Sequence, residues 1–230
     1  MRPRELIRTR EGSGSLSASG MGEAVPVASS RGLPDTLVDQ LWRRAVGGVG
    51  PFVGAAAVAT DALAATDDDV DAAVRRVVGS HVRLAASSGL LTSLGGAATL
   101  VVTAPAGTTG LYLLGTRLSA AVAHLRGRDL ADPVIRTASL VCVLGADGIE
   151  LAEHTGLDLV NASLLHGLRG LPPEVLAQLD TRIGFRLTSR FTRRGALNVT
   201  KLIPVVAGPI GAGADAMAMR TVAMFAQAHL

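Results

Sequence analysis

The chain has 230 residues, of which 48% are hydrophobic but only 3% aromatic, with one cysteine and a formal net charge of +3. That length allows one large domain or two small ones around a real core. A core so poor in aromatics must be built from Ala, Val, Leu and Gly, which suits helices in close contact better than aromatic-rich sheets. The lone Cys142 excludes an internal disulfide and a cysteine-based metal site, and a pI of about 9.9 is too mild by itself to argue for nucleic acid.

The first 31 residues carry Arg2, Arg4, Arg8 and Arg10 and are then dominated by Ser, Gly and Ala. No apolar core of a secretory signal follows the arginines. The composition reads as a disordered leader over 1–31, ahead of a single helical domain over 32–230. The first helix is expected from Pro34, with Leu37, Val38, Leu41, Trp42 and Val46 on one face. "GGVGPFVG" breaks it, and "AAAVATDALAAT" predicts a small-residue helix. Thr66 and Asp67–Asp69 read as the next helix start, Thr66 as cap and the three carboxylates in the positive first turn. Consecutive carboxylates fan around a helix, so they suit the dipole better than a metal. That helix is expected to run through Val70, Val74, Val77, Val78, His81 and Leu84.

Leu84–Thr116 is a run of 33 residues without a charge. A membrane-spanning helix needs about 20 apolar residues. Pro105 and Gly107 are expected to divide the run, and Ser, Thr and Gly recur in both halves. Two readings stay open: two helices buried in the core, or a helical hairpin in contact with membrane. Further helices are expected to end at Arg126 and Arg128, and to run from Pro133 to Asp147 and Gly148. The latter encloses Cys142 as a buried, inert thiol. "IELAEHTGLDLVNASLLHGLRG" reads as helix, turn, helix. "LPPEVLAQLDTRIGFRLTSRFTRRG" reads as one long helix with Val175, Leu176, Leu179, Ile183 and Leu187 inward. "KLIPVVAGPIGAG" reads as a bend before a last helix over about 212–229. No alternating strand pattern appears, so the fold class is all-α, a bundle of small-residue-rich helices.

Motifs for known chemistry are absent. There is no HExxH, no G-x-S-x-G, no G-x-x-x-x-G-K-[ST] and no G-x-G-x-x-G, so no metal and no cofactor is expected. In "KLIPVVAGPIGAG" the lysine precedes the glycines, and Pro204 and Pro209 each lack an N–H, the reverse of a phosphate loop. Asp147, Glu150 and His154 fall at helical spacing and form the one acid/histidine cluster a helical hydrolase or ligand-binding protein would use. Arg182, Arg186, Arg190, Arg193 and Arg194 precede Lys201 without an intervening acid, and Phe185 and Phe191 lie among them. Such a stripe can lie on anionic lipid or on nucleic-acid phosphates, or be solvated and paired with carboxylates of other helices.

Three blocks resemble the EcsC family of bacterial proteins. One is the C-terminal stretch with Lys201, Ile203, Pro204, Gly208 and Gly211. The second is "HVRLAASSGLLTSLGGAATL" with His81, Gly89 and Gly95. The third is "VLGADGIELAE" with Gly145 and Asp147. Together they span about 34–230. Where family members often carry an Asn early in the last helix, this chain has Asp215 nearby. The resemblance carries no catalytic residues over; it implies association with a membrane. The resulting expectation is a non-enzymatic helical protein at the inner face of the cell membrane, accessory to transport or an envelope process. Its partner would be the lipid surface or a membrane protein, contacted through Arg182–Arg194, with no nucleic acid. The hydrolase and nucleic-acid readings are the alternatives.

Overall fold

Helix formation in this chain rests on small and straight-chain apolar residues spaced to bury one stripe each. The computed structural model describes the main chain over residues 33–50, 53–94, 96–159, 163–198 and 204–230. Side chains are described over 38–50, 53–87, 110–159, 163–190 and 212–230. The leader over 1–31 lies outside the described residues. Among the described residues there are nine helices and no strand. They are α1 (Leu33–Gly47), α2 (Ala55–Ala64), α3 (Val70–Leu94), α4 (Gly96–Leu125), α5 (Pro133–Leu144), α6 (Ala146–Glu153), α7 (Leu164–Arg169), α8 (Pro173–Asn198) and α9 (Pro204–His229). The fold is all-α, and the helices belong to one unit, residues 31–230.

Two helices are central. In α4 every residue from Gly115 to Ala123 is buried, and in α5 every residue from Thr137 to Leu144. A helix apolar or small on all sides must be surrounded. α4 packs against α1, α2, α3, α5, α8 and α9, and α5 against α4, α6, α7, α8 and α9. The stripes expected from sequence supply much of the rest: Val38, Leu41 and Trp42 from α1, Val74 and Val77 from α3, and Leu176, Leu179, Ile183 and Leu187 from α8. Alanines fill the closest approaches, among them Ala45, Ala55, Ala59, Ala120 and Ala138, all without exposed surface. Cys142 is buried in α5, and burial pushes its thiol far above the ordinary range, which leaves it inert.

Four local expectations are corrected. Asp69, not Thr66, caps α3: its carboxylate accepts from Ala72 N–H at 3.0 Å, while the single Thr66 hydroxyl hydrogen is shared among the carbonyls of Ala62, Leu63 and Asp69, each within 3.1 Å. Asp67 and Asp68 sit at φ 49° and 62°, a left-handed turn that short polar side chains tolerate, and only Asp71 lies in the first turn of α3. Pro105 and Gly107 do not divide the apolar run, because α4 continues across both. A proline removes one main-chain rung, and the rungs on either side hold the helix. α5 stops at Leu144, and Asp147 and Gly148 open α6 instead of closing α5. Finally, α9 begins at Pro204, eight residues before the expected start, so the stretch read as a bend is helical from that proline on. Pro is well suited to the first helical position, where its missing N–H has no partner to lose.

The α5–α6 junction depends on two glycines. Gly145 has φ 64° and ψ −132°, a conformation costly for any residue with a Cβ, and that Cβ would press on the Phe225 ring at 3.3 Å. At Gly148 a Cβ would stand 2.2 Å from the Val141 carbonyl oxygen. α6 therefore folds directly back on α5, which carries Asp147 and Glu150 to α8.

Candidate functional site

The residues singled out in sequence gather where α6 meets α8. Arg186 Nε lies 3.4 Å from the Asp147 carboxylate and its Nη2 3.7 Å from Glu150. Arg190 makes the tighter contact, 2.5 Å from Asp147. All four side chains are part-exposed, so water and salt screen the pairs. The arginine stripe is thus divided. Arg186 and Arg190 turn toward carboxylates of another helix. Arg182 is exposed with no ion pair among the described residues, beside Phe185, which is 67% exposed. The side chains of Arg193 and Arg194 lie outside the described residues.

The acid/histidine cluster is brought together only in part. Asp147 and Glu150 share Arg186, but His154 ends α6, is exposed, and donates from Nδ1 to the Glu150 main-chain oxygen at 2.6 Å. Among the described residues no hydrogen bond joins its ring to either carboxylate. Nor do three His, Cys, Asp or Glu side chains converge as metal ligands there. Behind the Asp147–Arg190 pair lies a cavity of about 290 Å³ with apolar walls from Tyr112, Val143, Met219 and Val222.

A second polar constellation was visible in the sequence only as one histidine. His81, on α3, has no exposed surface. Its Nδ1 lies 2.8 Å from the Val77 carbonyl, and Arg117 of α4 donates from Nε to its Nε2 at 3.2 Å. A guanidinium cannot accept, so Nε2 carries the lone pair and Nδ1 the proton. Burial lowers the His81 pKa to about 4; the Val77 hydrogen bond opposes that shift and the Arg117 charge adds to it. The imidazole is a neutral structural link between α3 and α4.

A third group escaped sequence reading. Arg136 of α5 bridges Asp39 of α1, at 2.9 Å, and Asp180 of α8, and the Thr137 hydroxyl donates to Asp180 at 2.7 Å. Burial raises the Asp180 carboxyl, against the lowering by Arg136 and Thr137. The three helices come from opposite ends of the chain, so spacing could not foretell the triad. It ties helices together and faces no cavity described above.

No known protein family, curated protein or solved structure matches this chain. Of the positions that resemble the EcsC family, His81 is the buried link just described. Gly145 and Asp147 form the α5–α6 junction. Gly89 lies within α3, and Pro204, Gly208 and Gly211 lie in the first turns of α9. Gly95 and Lys201 lie outside the described residues.

Proposed function

We propose that this chain is an EcsC-like, non-enzymatic helical protein that associates peripherally with the inner face of the cell membrane, on anionic lipid or on a membrane protein. Its role would be accessory to a transport or envelope process. The observation that carries the reading is the outer face of α9. Met217 and Met224 are 71% and 61% exposed, and Arg220 stands between them at helical spacing on the same face. Large exposed apolar side chains interleaved with a cation are the pattern of a helix lying in a lipid interface, where methionine fills the acyl boundary and arginine meets headgroups. Phe185 and Arg182 repeat the pairing on α8.

Among the described residues no helix is long and apolar enough to cross a membrane. Leu111, Tyr112 and Thr116, at the end of the uncharged run, are buried in the core. The paired state of Arg186 and Arg190 favours neither nucleic acid nor an acid/base hydrolase.

The test is co-sedimentation with phosphatidylglycerol-rich vesicles against phosphatidylcholine vesicles. Binding at low salt that weakens as salt rises is expected, and Met217→Ser with Met224→Ser should lower the bound fraction. Absence of binding at low salt would overturn the reading.

A further inference from the structure

The face between α3 and α9 holds a groove of about 410 Å³ lined by Arg75, Gly79, Arg83 and Arg220, with Val78 and Val82 as its half-buried floor. Arg75, Gly79 and Arg83 follow one another at four-residue steps, so they share one face of α3. Arg220 approaches from α9. Gln227 closes one end. No carboxylate among the described residues lines the groove. Among the described residues none of Arg75, Arg83 and Arg220 has an acidic partner within ion-pair distance. Asp71, one turn before Arg75, is exposed and forms no ion pair with it.

Three guanidinium groups without an acidic partner around one hollow give it a positive potential that favours an anion. Gly79 gives the second, independent observation. Glycine inside a helix is unfavourable relative to alanine, so packing or space must favour it. Packing does not: a Cβ at Gly79 meets only the Arg83 guanidinium, at an ordinary 3.6 Å. What the missing side chain provides is room directly beneath the Arg83 head, where main chain and guanidinium can both approach a bound group.

We propose that this groove binds a phosphomonoester or diphosphate, held by Arg75, Arg83 and Arg220 over Gly79. A carboxylate brings one charge and two oxygens to three cations. A phosphate group brings close to two charges and three acceptor oxygens, which matches the planar forks of several arginines at once. The phosphate belongs either to a lipid headgroup or to a free phosphorylated molecule. The proposal does not rest on membrane association, because a soluble diphosphate is bound with or without a bilayer.

The probe is inorganic pyrophosphate titrated calorimetrically into the full chain at low salt. Arg83→Gln and Arg220→Gln are each expected to weaken binding at least about tenfold. Gly79→Leu keeps all three arginines, places a good helix former in α3, and fills the hollow. It should melt no lower than the parent and still lose the site. Arg169→Gln, which removes an exposed arginine at the end of α7 and outside the groove, should leave affinity unchanged. Failure of the parent to bind pyrophosphate would overturn the proposal. So would an Arg169→Gln loss equal to that of Arg83→Gln, which marks unspecific attraction to a basic surface. Vesicles then separate the sources. Preference for phosphatidic acid over phosphatidylserine at equal surface charge, abolished in Gly79→Leu and competed by pyrophosphate, assigns the lipid headgroup. Pyrophosphate binding without that preference assigns a free phosphorylated molecule.

Discussion

Two faces of this molecule carry arginines aligned along one helix, at four-residue steps on α8 and eight residues apart on α3, and they differ in what stands opposite. On α8, Arg186 and Arg190 meet Asp147 and Glu150 of α6 within 3.7 Å. On α3, Arg75 and Arg83 meet a third arginine, Arg220 of α9, and among the described residues no acid lines their groove. In sequence the α8 stripe is the more conspicuous, with Arg193, Arg194 and Lys201 extending it and no acid among them. Local charge density therefore misjudges which cations are available. What neutralises an arginine is decided by the helix packed against it, and in this chain the acidic helix α6 is delivered to α8 by a turn at Gly145.

That turn gives the largest expected effect. If the α5–α6 junction holds Asp147 against α8, a side chain at Gly148 should break the neutralised face as a unit. Gly148→Ala places its Cβ against the Val141 carbonyl, where main chain cannot yield as a side-chain tip can. A loss of about 3 kcal/mol in urea unfolding is expected, at the upper end for overpacking. Gly79→Ala, on the other face, has room for its Cβ and should stabilise by a few tenths of a kcal/mol up to about 1 kcal/mol, as helix propensity dictates. Equal effects at the two glycines would contradict the packing described for them.

The second effect separates the inner side of α3 from its outer side. His81 faces inward and is neutral, its pKa lowered to about 4 from the ordinary 6.5. Between those values the unfolded chain binds more protons at this group than the folded one. Stability from His81 is thus complete above about pH 6.5 and falls as pH drops toward 4. From pH 7 to 5 the loss should be about 2 kcal/mol, at 1.36 kcal/mol per unit below 6.5. Protonation would also turn the Nε2 acceptor into a donor facing Arg117. Asp180 works in the opposite sense: its raised carboxyl favours the folded state as pH falls. The difference between parent and His81→Gln cancels that contribution. Urea midpoints at pH 7 and 5 should drop more for the parent, and parallel lines for the two proteins would remove His81 as the cause.

Much of the fold was legible in the sequence, and the reasons it was or was not are local. The inward faces of α1, α3 and α8 follow from apolar spacing alone, and Leu179, Ile183 and Leu187 are buried as that spacing demands. Helix boundaries at Gly and Pro were less legible. Gly145, and not Asp147 or Gly148, ends α5, because φ is positive there. Pro105 ends nothing, and Pro204 begins a helix. A proline forbids one hydrogen bond, and whether a helix survives depends on its neighbours. Asp67–Asp69 misled because Thr66 spends its hydroxyl on the preceding turn, so the cap passes to Asp69. At the site, Asp147 and Arg190 were both visible as residues, yet their pairing joins positions 43 apart. The Arg136–Asp180–Asp39 triad and the α3–α9 groove are equally non-local. Composition and periodicity specify which residues go inward; they do not specify which surface residues meet.

The smallest effect is the most discriminating between the two arginine faces. Asp147→Asn removes the charge shared by Arg186 and Arg190 and leaves the side-chain shape intact. The pairs are about a third exposed, so water replaces part of what is lost. The expected cost is about 0.5–1 kcal/mol in low salt, shrinking as salt screens the interaction. Arg83→Gln removes a cation that, among the described residues, has no acidic partner, with Arg75 on its own helix face and Arg220 across the groove. Its effect should lie within about 0.5 kcal/mol of zero, and relief of repulsion gives it a stabilising sign at low salt that vanishes at high salt. The salt dependence thus has opposite signs on the two faces: salt removes relative stability from the parent on α8 and restores it on α3. Urea midpoints for both variants at two salt concentrations read this directly. If Arg83→Gln destabilises at low salt as Asp147→Asn does, an acid must oppose Arg83 in solution, and the groove is a paired surface like that of α8.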